Sequence, residues 1–261
     1  MAKTNREKLL ALYGRHYRGD SFIYEGLHDG DVGIRRAAAK EMKRTYCEPE
    51  TISLALSDSD SLVRFHSLNS SHTYTEEHIQ TGISDPSSEV QAYFFHKLIL
   101  KLSKSQITLA LSSPHTAVKA AVIARDDVTL NSEQVEGILK GRSNALKAIL
   151  VQNTNTTLTP QQVTYCLIHK NYDITEAILR RTDIIPTPEQ VEKILLDGRS
   201  GDISFLVARD NIHISETQID ILLGQHLAYK NKPHTSRTIS PSTICALIGR
   251  PSFLPTTSQN F

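Results

Sequence analysis

The side chains able to carry chemistry are scattered through this 261-residue chain. His66, His72 and His78 recur at intervals of six, with His96 further on. Zinc would need three or four such nitrogens to converge, and a spacing of six puts helical neighbours on different faces. No metal site is expected from them. Asp58, Asp60 and Asp85 fall in polar breaks, where a carboxylate stabilises a turn or caps a helix; nothing selects them for acid–base work. Cys47, Cys166 and Cys245 lie far apart with no CxxC pairing, an odd and sparse set that suits a reducing, cytoplasmic setting. The 12 glycines form no phosphate-cradling loop, and neither GxSxG nor HExxH occurs. The chain therefore reads as non-enzymatic, with no cofactor. One set of charges is more regular. Arg35, Arg64, Lys119 and Lys147 recur at related places, and such a ridge could grip phosphates or an acidic partner surface.

What places those four residues is an internal repeat. Consecutive units of 28 residues begin at Ser103, Asn131, Thr159 and Thr187, and the unit from Thr75 fits the same frame. Units near 19–47 and 48–74 fit less tightly; a shortened unit begins at Ser215 and a partial one at Ser240. Each opening residue has a side-chain oxygen that can cap a helix N-terminus. Three places on stand Gln106, Gln134, Gln162, Gln190 and Gln218, which completes a capping box. Apolar residues follow at a spacing of four, as in Val135 with Leu139 and Val191 with Leu195, the buried stripe of a short helix A. A polar break leads to a more continuously apolar helix B, as in VKAAVIAR and LKAILVQN. The basic ridge sits just after the first buried residue of helix B. A second set, Lys97, Arg125, Arg181 and Arg209, sits at the end of helix B, where the partial negative charge of a helix C-terminus favours cations.

Two helices of this length cannot bury their apolar faces alone, but stacked on like neighbours they share one core. The expected fold is all-α, an α-solenoid of about eight stacked helical pairs. One domain is expected over 19–250, with an N-terminal capping helix over 1–18 and a loosely held tail over 251–261.

The phrases Leu56-Ser57-Asp58 with Val63-Arg64, and Ile83-Ser84-Asp85 with Val90-Gln91, resemble the HEAT-like and leucine-rich-repeat-variant families. The resemblance covers about residues 19–250. It implies short helical units stacked into a curved superhelix whose B helices line the inner face, and its motifs are structural, shared by proteins of many functions. Bacterial DNA glycosylases that excise alkylated bases also look like stacks of HEAT-like repeats of this length, with a basic concave face and an Asp between aromatic walls. This sequence has no Trp, nine Tyr and seven Phe, and a formal net charge of only +1, and no catalytic residue carries over. Its densest aromatic cluster, Tyr93-Phe94-Phe95, falls where helix B packs.

With 39% apolar and 22% charged residues, the composition is that of a soluble protein with a core. No stretch approaches the roughly 18 apolar residues of a membrane span, and the opening residues do not read as a secretory signal. Charge is blocky: residues 1–44 carry ten basic and six acidic residues, and 45–90 carry one and eight. In a solenoid such blocks become bands, which suit a partner of matching pattern better than a uniform polyanion. The expected function is a non-enzymatic protein–protein interaction module, a scaffold acting as adaptor, inhibitor or assembly factor. Its partner-binding residues would be Arg35, Arg64, Lys119 and Lys147. The alternative is a HEAT-like protein that binds nucleic acid, with or without base excision.

Overall fold

A computed structural model describes residues 19–69, 71–97, 101–168, 171–197 and 199–230. The capping helix expected over 1–18, the partial unit from Ser240 and the tail over 251–261 lie outside these residues. The described residues form fifteen α-helices and a short 3-10 turn, Met42–Arg44, with no strand among them. Two compact units divide between Val128 and Thr129. In the first, helices alternate as A and B through α1 (Asp20–Leu27), α2 (Val32–Glu41), α3 (Pro49–Leu56), α4 (Ser61–His66), α5 (Glu76–Ile83), α6 (Ser88–His96), α7 (Lys104–Ser112) and α8 (Thr116–Ile123). The second holds α9 (Ser132–Lys140), α10 (Asn144–Gln152), α11 (Pro160–Ile168), α12 (Tyr172–Arg180), α13 (Pro188–Asp197), α14 (Ser200–Val207) and α15 (Glu216–Lys230).

The helix starts follow from local hydrogen bonding. Ser103, Asn131, Thr159, Thr187 and Ser215 each accept from the backbone N–H of the Gln three residues on. Each Gln Oε1 accepts in return from the N–H of its cap, at 2.8–3.0 Å. Two otherwise orphaned N–H groups are thus satisfied at each of these five A helices, and losing such a cap costs about 1 kcal/mol. Several B helices are capped by the polar breaks: Asp31 accepts from Gly33 and Ile34, and Asp60 from Leu62 and Val63.

Packing builds two layers in each unit. Helix A meets the next helix A, as α1 meets α3 and α11 meets α13, and helix B meets the next helix B, as α6 meets α8 and α10 meets α12. The core is densest where B helices stack: Phe94, Phe95, Val122, Ile123, Leu150, Val151, Ile178 and Leu179 are all essentially inaccessible. The A stripe is buried at Val135, Leu139, Val163, Leu167, Val191 and Leu195. Helix α7 differs. Ile107 and Leu111 are only half-buried and Leu109 is 52% exposed, while α7 packs on α8. Within the α5–α6 pair, Phe94 lies directly on Gly82, where an added Cβ would stand 2.0 Å from the ring.

Candidate functional site

The first residues of interest are the four of the expected basic ridge. On α2, Arg35 Nε donates to Asp58 Oδ2 at 2.7 Å and Nη2 to Oδ1 at 3.3 Å, while Nη1 donates to the Asp29 carbonyl at 3.1 Å. On α4, Arg64 repeats the arrangement one pair later. Its Nε and Nη2 donate to Asp85 at 2.7 and 3.0 Å, and its Nη1 to the Asp58 carbonyl at 2.8 Å. Asp58 and Asp85 also accept the backbone N–H two residues on, which fixes each turn. The carboxylate beside it holds the Arg64 guanidinium above its ordinary pKa, through the hydrogen bonds first. At the next place Gln91 donates to the Asp85 carbonyl at 2.7 Å, and the following turn offers Ser113 instead of a carboxylate. The ladder ends where both halves of the pair change.

Lys147 is buried and donates to Tyr165 Oη at 3.0 Å, and Tyr165 Oη donates to the Leu139 carbonyl at 3.1 Å. Lys119 is half-buried and makes no ion pair among the described residues. A ridge wholly open to a partner is therefore not what these residues form: Arg35, Arg64 and Lys147 are engaged as ties within the protein. The physical reason is proximity. The first turn of helix B lies one side-chain length from the next A–B turn, and a cation leaving water there takes the nearest carboxylate or hydroxyl.

The second basic set ties successive pairs together. Arg125 Nη1 donates to the carbonyls of Phe95 and Lys97 at 2.9 and 2.7 Å, and its other nitrogens hold Asp127. Arg181 reaches the Asn153 and Thr156 carbonyls at 3.1 and 2.9 Å and pairs with Asp183. Arg209 reaches the Leu179 and Ile184 carbonyls at 3.2 and 2.7 Å. Lys97 does the same for His72 at 3.1 Å, with its ammonium 4.0 Å from the centre of the Tyr74 ring. The cations thus serve chiefly the end of the preceding helix B. Gln190 and Gln218 point the same way, donating to the carbonyls of Pro160 and Pro188, thirty residues earlier.

His78 occupies the Gln place in its unit. Its Nδ1 accepts from the Thr75 N–H at 3.1 Å, so the neutral ring carries its proton on Nε2 and donates to Ser53 Oγ at 2.7 Å. His72 donates from Nε2 to the Met42 carbonyl at 3.1 Å. Burial lowers the pKa of both. No group of three or more His, Cys, Asp or Glu among the described residues is placed to hold a metal. Burial pushes the thiols of Cys47 and Cys166 up to about 12, so neither is a nucleophile at neutral pH. Phe94 and Phe95 lie in the core, as their place in helix B implied.

Charge that remains accessible gathers one column away from the ridge. Lys40 and Lys43 are exposed at the end of α2 and in the turn that follows, and Arg36 is partly so, paired with Asp60 at 2.6 Å. That guanidinium draws the Asp60 carboxyl down to about 2. From α4, Leu62 and Phe65 are 43% and 38% exposed, and His66 stands beside the Phe65 ring. The His66 pKa is lowered by burial and then by Lys40, Lys43 and Arg36, which marks a local positive potential. Reading the repeat columns misses these residues because they are not repeated. The signal that finds them is the spacing of Arg36, Lys40 and Lys43, four and then three apart, a basic stripe on one helical face. In the second unit, α11 and α13 leave a groove of about 300 Å³, lined by Thr164, Leu167, Ile168, Gln190, Lys193 and Ile194 among others.

No family model matches the chain, and no curated protein matches it. A solved structure described as a leucine-rich repeat variant with a novel repetitive protein structural motif is similar over 95% of this chain and 87% of that one. The TM-score is 0.59 at 13% identity, a likeness of fold. The chain is an all-α solenoid of helical repeats. No helix among the described residues is long and apolar enough to cross a membrane.

Proposed function

We propose that this repeat protein is a non-enzymatic protein-interaction module, an adaptor, inhibitor or assembly factor working in a reducing cytoplasm. One observation supports the reading most directly. The positions that recur from unit to unit hold the units together, while the position one residue beyond the ridge changes in size and charge along the chain, as Arg36, Phe65, Ala92, Ala120, Ala148 and Glu176, and is at least partly exposed at all of these but Ala148. A helical stack whose recurring residues are engaged internally leaves its variable ones free to suit a partner. Lys119, half-buried and with no ion pair among the described residues, belongs to that surface.

The test is capture with the tagged full-length chain from its native host, with and without nuclease, followed by light scattering of the purified complex. One protein retained after nuclease at near-equal stoichiometry is the expected result. Loss of every captured component on nuclease treatment would instead support the nucleic-acid reading.

A further inference from the structure

We infer that the face shared by α2 and α4 docks an acidic segment of a partner protein that carries an apolar side chain. Lys40 and Lys43 receive its carboxylates, and Leu62 with Phe65 receive the apolar group. The inference rests on the interaction-module reading and narrows it to one place and one kind of partner.

Three features of the face carry it. The charge is accessible: Lys40 and Lys43 make no ion pair among the described residues, whereas Arg35 and Arg64 in the neighbouring column are paired with Asp58 and Asp85. The apolar part is accessible too. Leu62 and Phe65 are three apart on one face of α4, both more than a third exposed, and the Lys43 ammonium lies 5.9 Å from the centre of the Phe65 ring. A cation beside an exposed aromatic side chain, with further cations near its neighbour His66, is the arrangement that an anionic segment with an apolar anchor complements. Finally, the basic field is local. The groups whose charge reaches His66 are Arg36, Lys40 and Lys43, with Asp60 opposing them. Beyond them the position one residue past the ridge turns to half-buried Ala92 and Ala120, with Glu89 exposed on α6. Nucleic acid would need a basic track along successive phosphates, and an exposed Leu62 beside Phe65 offers a phosphate nothing.

The test uses the full chain and a fluorescein-labelled peptide of alternating Glu and Asp around one central Phe, read by anisotropy. The Lys40→Glu/Lys43→Glu variant should bind at least about tenfold more weakly, and a Lys104→Glu control within about twofold of the parent, because steering and contact charge act locally. Phe65→Ser should weaken the Phe peptide and leave a Ser-substituted peptide unaffected. In NMR, the His66 ring should titrate at higher pH once the peptide is bound, since the peptide offsets the cations around it. Circular dichroism establishes that each variant is folded. Equal loss in the Lys104→Glu control, or no peptide binding, overturns the inference. So does tighter binding of a DNA duplex that the same two substitutions abolish, which would assign the face to nucleic acid. A captured protein partner that stays bound to Lys40→Glu/Lys43→Glu sinks the docking face alone and leaves the module reading standing.

Discussion

Arg64 is 7% exposed and Asp85 4%, so each is tolerable only because of the other. Removing one half of a buried pair strands the remaining charge, which is worse than never having had the pair. Asp85→Ala should therefore cost about 3–5 kcal/mol in urea unfolding followed by circular dichroism, and a volume-conserving apolar replacement of both residues should cost less. Histidines set the acid limit. Neutral His78 accepts a backbone N–H at Nδ1, and protonating that nitrogen removes the bond. Burial lowers the folded-state pKa of His66, His72 and His78 below the ordinary value near 6.5. The unfolded chain therefore takes up protons first. The stability contributed by the neutral rings is present above about pH 6.5 and falls as the pH drops from there through the lower folded values. His78→Gln supplies the residue found at the same place in later units. It should keep the cap at neutral pH and reduce the stability lost between pH 7.5 and 5.5; an unchanged loss would remove His78 from the account.

At the scale of helices, α5 and α6 are joined by the contact of Gly82 with Phe94. A glycine inside a helix ordinarily gains about 0.5–1 kcal/mol on becoming alanine. Here the sign reverses, because the added Cβ would stand 2.0 Å from a fully buried ring. Gly82→Ala should destabilise by about 1–3 kcal/mol, and Phe94→Leu in the same chain should recover part of the loss despite being destabilising by itself. A melting curve for each single variant and the pair decides it. The helices themselves were legible in the sequence. A cap and its reciprocal Gln are three residues apart, and Val135 and Leu139 four apart, so local spacing alone fixes both. The partner of Arg35 was not legible. Asp58 lies 23 residues away, and nothing local distinguishes a guanidinium facing a carboxylate from one facing water. The same holds for Lys147, whose burial depends on Tyr165 of the next unit.

At the scale of the molecule, stability in a helical stack is a sum of unit terms and nearest-neighbour terms. A fault in one pair should then stay near it. In amide exchange, Gly82→Ala should speed the α3–α6 helices and leave α11–α14 as protected as before; uniform acceleration would show a single cooperative block instead. One set of neighbour terms reaches backward along the chain. Arg125, Arg181 and Arg209 each reach a carbonyl thirty residues earlier, and Gln190 and Gln218 reach back as far. During synthesis the amino-terminal part of a chain emerges first, at about 5–20 residues per second, so such a carbonyl waits roughly 1–6 s for its donor to be made. A helical pair tied in this way leaves the ribosome unfinished and is completed by the pair born after it. Within each compact part growth works as a ratchet: a new pair locks its predecessor and is itself left open to water until the next arrives.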